Sequence, residues 1–352
     1  MKITVLGSGT SHGIPVVGCG CPVCTSADSR DKRMRASVFI EGQNGETALI
    51  DAGQEFRLQA IRAGIKSLDG IFLTHAHADH IHGLDDVRPL CKEKAIPIYG
   101  NSETITEMKS CFSYIWKETQ PGGGKPKLTP ITIDSPALSG PVRIGGLSFS
   151  PVPVKHGILD ILGWEIQEGE SGKSLLYLTD VSVVPPETLK QLNEHRLNPN
   201  SPEISRVIII GALRKSPHET HFCFEQALNT ALGLGAKAIY LTHICHDHLH
   251  IEIEEYCRDF RYSSGIENNQ IEELEIHPAH DGLVITLLIQ LYFFGYIIAL
   301  ETTCTDLKGK GSPAQFRLYL NQVWFPGTAS MVIRVADLIA CNSMFSANIA
   351  SP

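Results

Sequence analysis

The sequence predicts an α/β fold in which sheets carry helices on their outer faces, and three observations predict it. Short apolar runs rich in β-branched residues recur between turns bearing Gly, Pro and Asp. Helical patterns lie between several of these runs. Strand-like runs outnumber helical ones in the first half and helices return in the second, which is not a strict β-α-β alternation. A chain of 352 residues that is 43% apolar has ample material for a large core, which excludes a disordered protein.

The runs follow in order. Ile3-Thr-Val-Leu6 opens the chain as a strand, followed by strand-like residues 37–40 and 47–50. Residues 54–63 read as a helix, and Gly70-Ile-Phe-Leu73 as the next strand. Pro121-Gly-Gly-Gly-Lys-Pro126 is the clearest surface loop. Strand runs at 147–154 and 174–178 lead to a helix over 186–194, then to the strand Val207-Ile-Ile-Ile210. Residues 222–234 form a helical pattern with Phe224, Leu228, Ala231 and Leu232 near one face, and Ala238-Ile-Tyr-Leu241 is a further strand.

The tail differs from this body. Seven of the 70 residues from Leu283 onward are charged, 10% against 19% for the whole chain. The uncharged run 283–300 stands near the roughly 18-residue length of a membrane helix. Read instead as a final strand, Leu283-Val-Ile-Thr-Leu287 after the Asp281-Gly282 turn leaves too few apolar residues for a span. The second reading is preferred, giving a domain at residues 1–287 and an apolar tail of unknown role at 288–352.

Thirty Lys and Arg against 38 Asp and Glu give a net charge of −8, which argues against a general partner of nucleic acid or anionic membrane. The opening Met-Lys-Ile-Thr-Val-Leu-Gly-Ser-Gly lacks the apolar core of a signal peptide. Ten cysteines in so long a chain are expected to be reduced thiols, and the expected location is the cytoplasm.

The strongest chemical signal is Thr74-His75-Ala-His77-Ala-Asp79-His80, directly after the strand run 70–73. Three imidazoles and a carboxylate in six residues are costly to leave unpaired, and such a set suits Zn, Mn or Fe and can hold two ions. Further His and Asp residues follow strand-like runs downstream: His156, Asp180 and His243. Strand ends are where a rigid scaffold usually displays site residues. Separately, Cys19-Gly-Cys21-Pro-Val-Cys24 has metal-ligand spacing, and tetrahedral closure requires a fourth ligand.

This ordered set resembles the metallo-β-lactamase-fold hydrolases. Gly7-Ser-Gly-Thr-Ser-His-Gly-Ile-Pro15, the cysteine cluster and Leu49-Ile-Asp51-Ala-Gly53 narrow the resemblance to the 5-phosphoribosyl 1,2-cyclic phosphate phosphodiesterase branch of the carbon–phosphorus lyase pathway. It covers residues 1–287 and implies a four-layer αββα sandwich of two mixed sheets with helices outside. It also implies that His75, His77 and His156 hold one divalent ion, Zn or Mn, and that Asp79, His80 and His243 hold a second. Asp180 would bridge them. A water shared by the two cations would lose its proton near neutral pH and attack phosphorus. Asp51 would orient ligand imidazoles, or be an ordinary turn carboxylate. The cysteines with His246 would hold a structural Zn, with Cys245 and His248 as competitors for the fourth place; PQQ biosynthesis B proteins share this cluster. His221 would contact phosphate and protonate the leaving oxygen, with His218 as the alternative; the 22-residue interval from His221 to His243 favours the former.

The function expected is hydrolysis of a small cyclic or diester phosphate, with a homodimer as a possible state. The alternatives are a ribonuclease of the tRNA 3′-processing type, which would need a basic arm that a −8 chain does not display, and a thioester or lactone hydrolase, since the same nucleophile attacks carbonyl carbon.

Overall fold

A computed structural model describes residues 1–118, 124–133, 140–169, 172–196, 205–263, 274–287, 291–293, 296–301 and 317–321. The chain divides into two compact units, Met1–Ile289 and Gln290–Pro352. In the first unit β1 (Lys2–Gly7), β2 (Ser37–Glu41), β3 (Thr47–Ile50), β4 (Gly70–Phe72), β5 (Ile96–Asn101) and β6 (Leu128–Ile133) lie in one sheet. The second sheet contains β7 (Val142–Ile144), β8 (Leu147–His156), β9 (Leu159–Glu168), β10 (Lys173–Leu178), β11 (Ser205–Gly211), β12 (Ala236–Thr242) and β13 (Glu275–Pro278). The chain then returns to the first sheet as β14 (Val284–Thr286), antiparallel to β1.

Both sheets are mixed in the same way. The strand order is β14-β1-β2-β3-β4-β5-β6 in one and β13-β12-β11-β10-β9-β8-β7 in the other. Pairing is antiparallel from β14 to β3 and parallel from β3 to β6; likewise antiparallel from β7 to β10 and parallel from β10 to β13. Parallel strands are covered on both faces, so Leu175-Leu-Tyr-Leu178 and Val207-Ile-Ile-Ile210 are continuous apolar runs rather than alternating ones.

The helices are α1 (Pro22–Thr25), α2 (Phe56–Ala63), α3 (Ala78–Ile81), α4 (Ser102–Cys111), α5 (Pro186–Arg196), α6 (Phe224–Gly233) and α7 (His250–Ser263). Helix α2 stops at Gly64, whose left-handed φ of 70° closes the helix without a Cβ penalty. The Asn101 side chain accepts the Thr104 N–H at 2.8 Å and starts α4. Helix α6 buries Phe224, Ala227, Leu228 and Ala231, the i, i+3, i+4, i+7 stripe of a core-facing helix.

Three apolar clusters separate four layers. Val5, Ile40, Ile50 and Phe72 of the first sheet meet Phe149, Trp164 and Tyr177 of the second. The outer face of the first sheet packs Leu49, Ile71 and Ile98 on Phe56 and Met108 of α2 and α4. The outer face of the second packs Leu178, Ile208 and Leu241 on Leu192, Leu228 and Ile253 of α5, α6 and α7. This is the four-layer αββα sandwich expected.

The described residues of the apolar run 283–300 are not helical: they supply β14 and, in the second unit, β15 (Leu291–Phe293) and most of β16 (Tyr296–Glu301). There β15, β16 and β17 (Arg317–Asn321) form an antiparallel three-stranded sheet. Among the described residues no helix is long and apolar enough to cross a membrane. Residues 121–123 of the predicted loop, and most of the predicted tail, lie outside the described residues.

Candidate metal centre

Ligand-type residues gather at the carboxyl ends of the parallel strands, the usual place for a site in such sheets. Asp51 follows β3, His75 follows β4, Asp180 follows β10 and His243 follows β12, while His156 ends β8. Asp51, Asp180 and His243 have positive φ, at 60°, 54° and 56°. Short helix α3 presents Asp79 and His80. The turn after Asp51 is clamped to this helix: Ala52 N–H donates to the His80 carbonyl at 2.7 Å, and a Cβ at Gly53 would stand 2.3 Å from the Asp79 carbonyl. Glycine is required there by close approach.

Asp51 is fully buried and organises two imidazoles. Its Oδ1 accepts the Thr74 N–H at 2.9 Å; its Oδ2 accepts the Thr74 hydroxyl at 2.8 Å and the His80 Nδ1–H at 2.7 Å. With its proton committed to Asp51, Thr74 Oγ1 accepts from His75 Nδ1 at 3.0 Å. His156 Nδ1 donates to the Thr220 carbonyl at 2.7 Å. This network assigns the proton to Nδ1 in His75, His80 and His156 and makes each Nε2 the lone-pair nitrogen, that of His75 standing 2.9 Å from His77 Nδ1.

The free nitrogens converge with carboxylates. His80 Nε2 lies 3.1 Å from both Asp79 and Asp180, and His243 Nε2 lies 3.1 Å from Asp180 and 3.5 Å from Asp79. Yet both nitrogens are buried without a hydrogen bond of acceptable geometry. Donor atoms aimed at a common point rather than at each other are the arrangement a cation satisfies. Ligand atoms of Asp79, His80, Asp180 and His243 lie within 4.8 Å of one another, as do those of His75, His77 and His156. Asp180 also groups with His156 and His221 within the same distance, so it stands between the two sets.

Burial would lower the His80 imidazole, but the Asp79, Asp180 and Asp51 carboxylates outweigh it and raise it well above its ordinary value, so the buried carboxylates draw positive charge into the site. Burial would raise the Asp79 and Asp180 carboxyls, but the His80 and His243 imidazoles outweigh it and hold both below the ordinary range. Burial and the neighbouring His80 push His75 well below its usual value, so it is a neutral imidazole. Burial and then His243 lower His221 to about 3, which makes it a neutral imidazole at pH 7. Its Nδ1 is 3.7 Å from Asp180 Oδ1. His218, the alternative, is exposed and turns its Nδ1 to Thr220, 3.3 Å away.

A second cluster joins Cys19, Cys21, Cys24 and His246, whose Nδ1 is 3.5, 3.4 and 3.5 Å from the three sulfurs. The Cys24 backbone N–H, against opposing burial, draws the Cys21 thiol down to about 6, favouring the thiolate that binds metal. Cys245 and His248 stand outside the cluster: burial raises the Cys245 thiol to about 11, and His248 faces Glu252 at 3.8 Å.

Several supporting residues escaped the sequence reading. Thr74 is one, and the sequence does carry a signal: Leu73-Thr74-His75, Leu178-Thr179-Asp180 and Leu241-Thr242-His243 repeat a buried Thr before a site residue. Thr179 donates its hydroxyl to Asp180 at 2.8 Å. The other is Arg33, fully buried, whose guanidinium donates to the Cys245 and His248 carbonyls at 2.6 and 3.1 Å and pairs with Asp31 at 3.2 Å. It braces the loop that carries His243 to one cluster and His246 to the other. That role shows only in its carbonyl partners, 212 and 215 residues further along the chain.

Residues 46–244 match the family model described as the beta-lactamase superfamily domain. The chain is 34% identical over 284 residues to a protein of Porphyromonas gingivalis named octanoyltransferase, covering 80% of this chain and 51% of that one. It spans about half or less of the length of the first curated relatives it matches. A solved diphosphatase of the PhnP family is 35% identical with a TM-score of 0.64, covering 82% of this chain and 98% of that one. The zinc-bound PqqB of Methylobacterium extorquens, at 17% identity and a TM-score of 0.59, covers 82% of this chain and 100% of its own; it shares the fold. The layered sheets, the ligand-type residues at their strand ends and the matched family together make this chain a member of the beta-lactamase superfamily, with the metallo-β-lactamase fold.

Proposed function

We propose that the protein is a dinuclear metal-dependent phosphodiesterase that cleaves a small cyclic or diester phosphate. One observation carries the reading: Asp180 belongs at once to the Asp79, His80, His243 group and to a group with His156, as a carboxylate shared by two cations must. A pair of divalent ions, Zn or Mn, would when bound supply an activated water near neutral pH and offset charge on the phosphoryl oxygens.

The chain's own residues do the rest. His75, His77 and His156 would hold one ion and Asp79, His80 and His243 the other, with Asp180 shared between the two sets. Asp51 and Thr74 fix the two imidazole tautomers that present Nε2 to the cleft. His221, neutral and beside Asp180, offers a ring N–H to the departing oxygen and contacts the phosphate. Cys19, Cys21, Cys24 and His246 hold one structural Zn, which anchors the loop bearing His243. A small ester suits the −8 chain better than RNA, whose phosphates call for a basic surface.

The diphosphatase neighbour is named for phosphorus chemistry, whereas the Porphyromonas relative is named for acyl transfer. The test therefore pairs metal analysis of the purified protein with hydrolysis of bis(p-nitrophenyl) phosphate, cyclic nucleotides and an aryl thioester. Diester turnover with two exchangeable ions beside one tight Zn supports the proposal. Thioester turnover without diester turnover replaces it.

A further inference from the structure

A pocket of about 610 Å³ opens beside the metal centre, and the imidazoles of His77 and His156 form part of its wall. Its remaining wall is set by the tight turn between β8 and β9. There Gly157 has a φ of 59°, and a Cβ on it would stand 3.0 Å from Thr220 Cγ2, so the turn lies hard against the segment leading to His221. Gly157 N–H donates to Ser182 Oγ at 2.9 Å, and Lys155 exchanges backbone hydrogen bonds with Ser182 and Val183 at 2.8 and 2.9 Å. The two edges of the opening are thus pinned to each other.

What these edges display is aliphatic. Ile158, at a turn position that ordinarily carries a polar residue or glycine, is 94% exposed, and Val183 opposite is 50% exposed. Leu159 joins them, and the sole charged residue in the lining is the acidic Glu219. The nearby Lys155 ammonium is committed to Asp160 at 2.7 Å. Such a wall gives nothing to a second phosphate and gives contact area to an apolar group.

We infer that this pocket is a specificity site for one ester group of the substrate, and that this group is apolar and uncharged. The inference rests on the phosphodiesterase reading: the phosphate sits over the metals and its aryl or alkyl ester fills the pocket between Ile158 and Val183. A sugar bearing a second phosphate does not belong here.

The test is calorimetric titration of the metal-loaded protein with inorganic phosphate, phenyl phosphate and glycerol 2-phosphate, and of the Ile158→Asp, Val183→Asp and double variants. Phenyl phosphate is expected to bind about tenfold tighter than glycerol 2-phosphate. The double variant is expected to lose that preference while still binding inorganic phosphate, and the two exposed positions can be changed without opening the core. Equal affinity for the two esters in the wild type overturns the inference, as does a preference that survives both substitutions. Phenyl preference without turnover of any diester supports the pocket and instead refutes the hydrolytic reading on which it was framed.

Discussion

Replacing Asp51 by Asn isolates the orienting carboxylate from every other feature of the site. Asparagine keeps the size and tolerates the positive φ of 60° at this position, so no backbone strain is added. What changes is acceptor capacity. If the amide oxygen takes the place of Oδ2, it still accepts from Thr74 Oγ1 and His80 Nδ1, but the NH₂ then faces the Thr74 N–H. The reverse orientation sets the NH₂ against two donors. The better orientation leaves one buried donor unsatisfied, a loss of about 1–3 kcal/mol. His80 also loses the carboxylate that strengthens it as a ligand, and such losses weaken metal binding about 10–100-fold. The assay is competition against a chelator of known affinity, read as metal content per chain, alongside a thermal melt. An Asn variant that holds metal as tightly as the wild type would show that Asp51 is an ordinary turn carboxylate and that the Thr74 relay is irrelevant.

Asp180→Ala is expected to lose both catalytic ions and nearly all turnover, whereas His221→Ala keeps the metals and loses rate, most for poor leaving groups; metal loss in the second would make His221 a ligand. Mild chelation is expected to strip the imidazole and carboxylate centre first and leave the thiolate-bound Zn, because the two donor sets differ in softness; a fully loaded preparation with one ion per chain would sink this. Arg206→Leu tests the fold apart from the site: Arg206 is fully buried and holds Glu165 at 2.8 Å, so its removal leaves that buried carboxylate with only His195 and the Ser174 hydroxyl and costs at most about 3–5 kcal/mol, with metal content unchanged. Burial would raise Glu165, but the His195 hydrogen bond and the Arg206 charge outweigh it and keep the carboxyl below the ordinary glutamate range. A depressed native value contributes stability above the unfolded value of about 4.3 that is lost as pH falls, so the gap between wild type and variant should narrow in acid; a gap independent of pH down to the acid transition would refute it.

The candidate ligands were legible because their chemistry is concentrated: His75, His77, Asp79 and His80 fall within six residues, and His156, Asp180 and His243 each close an apolar run. Strands β1, β3, β10 and β12 were legible for the same reason, as uninterrupted runs. Strand β9 was not, because Gly163, Glu165 and Glu168 break its pattern. Glu165 and Glu168 are buried by partners that no local window contains, Arg206 for one and the Met1 ammonium for the other. Strand β5 carries Pro97 and Gly100, which read as turn signals. Six of the 14 residues of helix α7 are charged, and its core contact rests on few residues, Ile253 and Cys257 among them. The division of roles among histidines is also tertiary: nothing local distinguishes His218, exposed beside Thr220, from His221, whose neighbour Thr220 is held by the turn at Gly157 and accepts from His156, bringing the two rings to 4.6 Å.

The three left-handed residues connect stability to chemistry. Each stands where a strand of a sheet ends, and each chain turn there costs roughly 1–2 kcal/mol for a residue with a Cβ. Glycine at 51, 180 or 243 would remove that cost and delete the site side chain with it, the orienting carboxylate at 51 and the candidate ligand atom at 180 or 243. Among residues with side chains, Asp, Asn and His tolerate this conformation best. Asp and His are also the residues that offer a metal an ionised oxygen or an imidazole nitrogen. The residue types that can stand at φ values of 54° to 60° and those that can bind a divalent cation therefore overlap in two, and these are the two found. The backbone geometry at the strand ends and the coordination chemistry select the same side chains, so a substitution such as Asp180→Ala removes a ligand and worsens the strain at once, while Asp180→Asn removes the charge alone.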